Sequence, residues 1–65
     1  MADQRVRELQ RYTGRRCKNL ILGGYGEVAE VKEQYGDICI IVHWDNGSVW
    51  PYSPEQIGTV VEIVE

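Results

Sequence analysis

The sequence predicts a single, mainly β domain, and three observations lead to that prediction. A length of 65 residues allows one hydrophobic core and leaves no room for a second. Short runs of β-branched and aromatic residues alternate with turns that contain glycine or proline, which is the pattern of short strands. The dipeptide Asn46-Gly47 separates two of these runs, and Asn-Gly in that setting is the strongest local indication of a tight β-hairpin.

The hairpin around Asn46-Gly47 is the centre of the predicted fold. If the loop consists of these two residues alone, His43 faces Trp50 across the hairpin. By the same register, Ile41 faces Tyr52. One face then carries Ile38, Ile40, Val42, Trp44 and Val49, and the other carries Cys39, Ile41, His43, Trp50 and Tyr52. Neither face is polar, so we expect the second face to be covered by another part of the chain or by a partner.

Residues 1–13 are predicted to form a short basic N-terminal helix or arm. Asp3 can cap the start of a helix, Val6 and Leu9 fall on one face of it, and Gly14 can end it. A helix of about ten residues is marginal in water, so we expect it to form only against the body of the domain. It is one candidate cover for the second hairpin face.

Two strands are predicted before the hairpin. The first covers residues 15–22 and ends at a glycine-rich turn, residues 23–26. The second covers residues 27–32. Its apolar residues Val28 and Val31 are three positions apart, which breaks the alternation of a regular strand and indicates a β-bulge near Ala29.

One helical turn and a last strand are predicted after the hairpin. Ser53 and Gln56 can form a capping box, and Pro54 suits the first helical position. Residues 59–64 then form a strand. Pro51 cannot donate a hydrogen bond to a neighbouring strand, so the fourth strand is expected at a sheet edge. Five short strands with one helical turn before the last give the order of an SH3-like five-stranded small barrel, to which we assign residues 14–65.

Two short motifs carry a resemblance to known modules. The segment Val42-His43-Trp44-Asp45-Asn46-Gly47-Ser48, with a tyrosine a few positions on, resembles the V-x-W-D-N-G pattern of Mind-bomb-type repeats in ubiquitin ligases. More loosely it is similar to Tudor and KOW-type barrels. Gly26-Glu27-Val28 resembles the G-x-V that opens their second strand. The chain has Ser53-Pro54 where the Mind-bomb pattern has a basic residue, so the resemblance implies the fold and no ligase-type role.

Charge is distributed unevenly along the chain. Residues 1–18 contain six basic and two acidic residues, a balance of +4, whereas the rest contains one lysine and eight acidic residues, a balance of −7. Two interpretations follow, either surfaces that complement each other or a nucleic-acid-binding segment. The residues that would contact phosphates are Arg5, Arg7, Arg11, Arg15, Arg16 and Lys18. The acidic body also suits a phage-type inhibitor that occupies a basic nucleic-acid groove of a host machine.

Catalysis is not expected. His43 is the only histidine and has no nucleophile placed beside it, and Cys17, Cys39 and His43 are too few for a closed zinc site. We therefore expect no metal and no cofactor. Both cysteines are read as free thiols in a reducing cytoplasm, because no stretch resembles a signal peptide or a membrane span.

Binding is the predicted function. We expect a small non-catalytic module that docks on a larger protein as subunit, adaptor or inhibitor, with a homodimer as the alternative occupant. The predicted contact residues are Tyr25, Cys39, Ile41, His43, Trp50 and Tyr52, since aromatic side chains carry much of the energy of protein interfaces. Trp44 is expected to cover the core instead. An aromatic cage for a methylated lysine or arginine beside Asp45 is a minor option.

Overall fold

The computed structural model describes residues 3–64, and side chains from Val6 onward. The helix α1 covers Asp3–Leu9, and a 3-10 turn follows at Gln10–Tyr12. The strands are β1 (Arg16–Asn19), β2 (Tyr25–Gln34), β3 (Asp37–Trp44), β4 (Val49–Tyr52) and β5 (Val61–Val64), with a second 3-10 turn at Pro54–Gln56. The predicted capping role of Asp3 and the predicted phosphate contact of Arg5 concern side chains outside the described part.

The five strands form one antiparallel sheet in the order β4-β3-β2-β1-β5. The predicted fold class is therefore confirmed: the chain is mainly β, with a short N-terminal helix and a 3-10 turn before the last strand. β4 lies at a sheet edge, as Pro51 predicts. None of the helices among residues 3–64 has the length and apolarity needed to cross a bilayer.

The curved sheet encloses a small core on its inner face. Its buried members are Cys17, Val28, Val31, Ile40, Val42, Trp44 and Val61. The N-terminal helix packs on this core through Val6 and Leu9, and the amide of Gln10 donates a hydrogen bond from Nε2 to the carbonyl oxygen of Val31, 2.6 Å away. The helix thus contributes to the core and leaves Trp50 59% exposed.

Two local predictions are confirmed in detail. The pairing of β2 with β3 shifts by one residue between Val28 and Glu30, which is the bulge predicted near Ala29. The 3-10 turn after β4 carries the predicted capping box, in which the backbone N–H of Ser53 donates to Oε1 of Gln56 at 2.9 Å. Both features depend on neighbouring residues, so a local pattern is sufficient to predict them.

The first strand is shorter than predicted. β1 ends at Asn19, and the three aliphatic residues after it form a turn instead of continuing the strand. The side chain of Asn19 accepts hydrogen bonds on Oδ1 from the backbone N–H groups of Ile21 and Leu22, at 2.9 and 2.8 Å. This local bonding competes with the strand ladder, as asparagine side chains commonly do. The predicted strand over residues 20–22 is therefore wrong.

The predicted loop and register of the β3–β4 hairpin are also wrong. The loop contains three residues, because the backbone N–H of Trp44 donates to the carbonyl of Ser48 at 2.8 Å. Of the two residues Asn46 and Gly47, only Gly47 has a positive φ, 94°, as in a three-residue loop that ends in a left-handed glycine. The register places Trp50 opposite Val42.

That shift of one residue exchanges the two faces of β4. Trp50 and Tyr52 join the inner face with Ile40, Val42 and Trp44. Val49 and Pro51 join the outer face, which carries Cys39, Ile41 and His43. Because side chains alternate along a strand, a change of one residue in the register moves every side chain of β4 to the other face.

Candidate functional site

Five of the seven exposed large apolar residues of the described chain lie in or near the β1–β2 loop, and the other two are Tyr35 and Val49. The β1–β2 loop and its neighbours present Leu20, Ile21, Leu22, Tyr25 and Trp50, with 39, 68, 87, 47 and 59% of their surface exposed. Leu22, Tyr25 and Trp50 of this group line a groove of about 410 Å³. We call it the aromatic groove and define it by Leu22, Tyr25, Trp44, Trp50 and Tyr52.

Trp44 and Tyr52 form the buried part of the aromatic groove. Trp44 is 8% exposed and belongs to the core, as predicted. Its indole Nε1 donates a hydrogen bond to the hydroxyl of Tyr52 at 3.2 Å, and the two rings meet edge to face with centroids 6.1 Å apart. A buried indole N–H that has a hydrogen-bond partner costs little to bury. The Trp44–Tyr52 pair is therefore a stable base for the aromatic groove.

Trp50 lies at the rim of the groove because of its place in the sheet. It faces the inner side, opposite Val42, but β4 is the last strand at that edge of the sheet. Within residues 3–64 no further strand pairs with β4 at this edge, so Trp50 is 59% exposed.

Tyr25 is positioned by a network of backbone hydrogen bonds. Its carbonyl accepts from the backbone N–H of Asp45 at 2.9 Å, which ties the β1–β2 loop to the β3–β4 loop. The preceding Gly24 has a φ of 92° and accepts from the N–H of Asn19 at 2.9 Å. Backbone hydrogen bonds thereby connect the two loops that line the aromatic groove.

Leu20, Ile21 and Leu22 form a protruding segment that we call the apolar loop. Besides the two bonds to Asn19 Oδ1, the backbone N–H of Leu20 donates to the carbonyl of Val60 at 2.8 Å. The N–H of Gly23 donates to the carbonyl of Asn19 at 3.0 Å. These bonds hold the apolar loop in one conformation, so little conformational entropy remains to be lost on binding.

An ion pair neutralises the rim of the groove. The guanidinium of Arg16 donates to both carboxylate oxygens of Asp45, Nη1 to Oδ1 at 3.1 Å and Nη2 to Oδ2 at 2.7 Å, and both side chains are about half exposed. The hydrogen bond from Arg16 lowers the pKa of Asp45 below its ordinary value. A cationic ligand in the groove would compete with Arg16 for this carboxylate, which weakens the aromatic-cage expectation.

The ion pair gives a prediction for the pH dependence of stability. Because the pKa of Asp45 is lower in the folded protein, the pair should contribute fully above the unfolded pKa of about 3.9. That contribution should be lost as the pH falls through the folded pKa. We expect Asp45→Asn to lower the urea midpoint slightly at pH 6, and we expect the difference from wild type to shrink as the pH falls toward 2.

The control for this prediction is the partner residue. Arg16→Gln should lower the midpoint at pH 6 by a similar amount, and the double variant should show no further loss, because each single change already breaks the pair. A difference between wild type and Asp45→Asn that is the same at pH 6 and pH 2 would contradict the assignment.

The predicted contact residues divide into two groups. Tyr25, Trp50 and Tyr52 meet at the aromatic groove. Cys39, Ile41 and His43 lie on the outer face of β3, so the single surface predicted for all six residues is not formed. Cys39 and His43 are four residues apart on one strand, hence about 13 Å apart.

The described groups with metal-binding or nucleophilic potential are dispersed. Within residues 3–64, no three His, Cys, Asp or Glu side chains lie close enough together to hold a metal ion. Cys17 is a fully buried free thiol, and burial raises its pKa, which disfavours the reactive thiolate. Cys39 is also free and half-buried.

The basic residues of β1 stand beside acidic partners. Arg16 lies opposite Glu27 of β2, and Lys18 lies opposite Glu62 of β5. Arg11 stacks over the ring of Tyr12, with Cζ 5.3 Å from the ring centroid. Opposite charges on neighbouring strands attract, so these cations balance acidic residues of the same chain.

Sequence reasoning did not select the apolar loop or Leu22. The sequence predicts residues 20–22 as the end of the first strand, because an aliphatic run is typical of a strand. The available signal was Asn19 immediately before the run and Gly23-Gly24 immediately after it, a setting that favours a turn held by the asparagine side chain.

The fold and the groove together define a small β-rich domain with an exposed aromatic groove at one end. Comparison with protein-family models, with curated proteins and with solved structures finds no match to the chain.

Proposed function

We propose that this chain is a small non-catalytic protein-binding domain that docks on a larger protein through the aromatic groove and the apolar loop. The observation that carries the proposal is Trp50, which stands 59% exposed at the rim of the groove. Tryptophan and tyrosine are the side chains most enriched among residues that dominate interface energy. Exposed apolar side chains that share a groove, as Leu22, Tyr25 and Trp50 do, are typical of interaction surfaces.

The apolar surface supplies a gross driving force that is comparable to the cost of association. The exposed side chains around the groove amount to on the order of 500 Å². At about 25 cal/mol per Å² their burial gives roughly 12 kcal/mol, before association costs of about 4–15 kcal/mol. The hydrogen bonds that hold the apolar loop and Tyr25 in place keep the ordering part of that cost low.

The alternatives receive less support from the described residues. Arg16 is engaged by Asp45, and Lys18 lies opposite Glu62, so β1 presents no uninterrupted basic face for a nucleic acid. Subunit, adaptor and inhibitor are three uses of one docking surface. If the chain acts as an acidic inhibitor of a host machine, the surface of that partner is basic.

The experiment starts with p-benzoylphenylalanine in place of Tyr25, which lines the groove, and irradiation of the tagged protein in cell extract. A crosslinked protein is then purified, and its affinity for the wild-type chain is measured by calorimetry. We expect Trp50→Ala to weaken binding about 30-fold, because such anchor residues contribute about 2 kcal/mol or more.

Val49→Ala is the matched control. Val49 is the neighbour of Trp50 on β4, is 54% exposed, and lies on the outer face. It should leave the affinity unchanged, and thermal unfolding should show that both variants keep the fold. Equal affinities of Trp50→Ala and wild type for the crosslinked protein, or a loss confined to Val49→Ala, would refute the proposed surface.

A further inference from the structure

We infer that a second copy of this chain also occupies the surface, in a two-fold dimer in which each apolar loop enters the aromatic groove of the other copy. The inference rests on the proposed function because both use the same groove. It differs from that function in its occupant, a second copy instead of a larger protein.

The first argument is that one molecule carries both halves of such a contact. The apolar loop ends in Ile21 and Leu22, whose side chains are the most exposed of the patch. The groove beside it has a volume of about 410 Å³, and a cavity of about 150 Å³ already accommodates benzene. The groove therefore has room for aliphatic side chains from a partner loop.

The second argument is geometrical. The apolar loop and the aromatic groove lie at the same end of the domain and share Leu22. In a two-fold pair the same patch faces itself, so a loop that enters the partner's groove brings the partner's loop to its own groove. Both contacts then form at once and the assembly closes at two copies.

The third argument is the area. The exposed patch of on the order of 500 Å² per copy would remove roughly 1,000 Å² in a pair, the lower limit for a specific interface. The share of each copy, on the order of 500 Å², is about a tenth of its surface of 4519 Å². An interface of this size falls in the class of weak, reversible contacts.

The fourth argument is charge. The chain has a net charge of −3, which would oppose association if acidic side chains met. At the groove, however, the carboxylate of Asp45 is paired with Arg16, and the other polar side chains are Asn19, Asn46 and Ser48. Two copies can therefore meet through this patch without placing unpaired like charges together.

Sedimentation velocity of the purified chain between about 2 and 500 μM tests the inference. We expect the weight-average mass to rise from that of one chain toward that of two. Ile21→Asp should raise the Kd at least tenfold, because it places a charge in the partner's apolar groove. Val49→Asp makes the same type of change on the outer face and should leave the Kd unaltered.

Three outcomes would overturn the dimer. A single-chain mass over the whole concentration range would do so, as would an unchanged Kd in Ile21→Asp or a loss confined to Val49→Asp. Far-ultraviolet circular dichroism shows whether Ile21→Asp is folded, and Ile21→Ser serves as the second variant if it is not. If the wild type is monomeric, the dimer is refuted, and the proposed function is still tested separately by crosslinking at Tyr25.

Discussion

Gly26→Ala is expected to destabilise the fold strongly. An added Cβ would lie 2.7 Å from the carbonyl oxygen of His43, 2.7 Å from Cε3 of Trp44 and 3.0 Å from its Cα. Two of these atoms are backbone of β3, which is paired with β2 at this point, so no side-chain rotation relieves the clash. Glycine is needed here for the close approach of the strands and not for its φ.

The expected cost is at least about 3 kcal/mol, the upper end of the range for overpacking. A domain of 65 residues has a total stability of roughly 3–10 kcal/mol, so the variant should lie close to its unfolding threshold. Urea denaturation followed by circular dichroism measures this directly. In thermal unfolding the midpoint should fall by about 12 °C or more, at roughly 4–8 °C per kcal/mol.

Glu27→Ala is the control for Gly26→Ala. Glu27 is the next residue of β2 and is exposed, so its truncation changes no core contact and should cost within about 0.5 kcal/mol. Equal denaturation midpoints for the two variants would mean that the β2–β3 contact accepts a methyl group, which would contradict the close approach.

The second large effect is expected from the two tryptophans. Trp44→Ala should lower the free energy of unfolding by about 3–5 kcal/mol, because it empties part of a small core. It also removes the hydrogen bond to the Tyr52 hydroxyl. Trp50→Ala deletes the same side chain at an exposed position and should cost less than about 1 kcal/mol. Urea denaturation of both variants in parallel measures the difference.

This pair separates stability from binding. If the groove is an interaction surface, Trp50→Ala keeps the fold and loses the partner, whereas Trp44→Ala loses the fold. Similar unfolding free energies for the two variants would contradict the burial of Trp44. A large destabilisation by Trp50→Ala would show that its ring packs into the core of the isolated chain.

Much of the fold could be predicted because the signals are local. The capping box needs only Ser53 and Gln56, the bulge only the change of phase in β2, and the edge position of β4 only Pro51. In each case the residue type determines the backbone conformation or the strand pairing within a few positions of itself. The burial of Trp44 follows from its alternation with Ile40 and Val42 on β3.

The site could be predicted only in part. Tyr25, Trp50 and Tyr52 are among the predicted contact residues, and they meet at the groove. Their grouping with Cys39, Ile41 and His43 depended on the hairpin register. Asn46-Gly47 is compatible with a loop of two or three residues, and a difference of one residue decides which side chains share a face.

The sequence by itself determined the mainly β class, the order of five strands, the bulge, the edge strand and the capped turn, because each follows from local conformational preference. Only the tertiary structure decided the β3–β4 loop. Asp45 donates its backbone N–H to Tyr25 and pairs its carboxylate with Arg16, contacts that bridge distant parts of the chain. They hold Asp45 in the loop together with two local hydrogen bonds, from the N–H of Ser48 to Oδ1 of Asn46 and from the N–H of Gly47 to the carbonyl of Trp44. The register of β4 that accompanies this loop brings Trp50 to the aromatic groove.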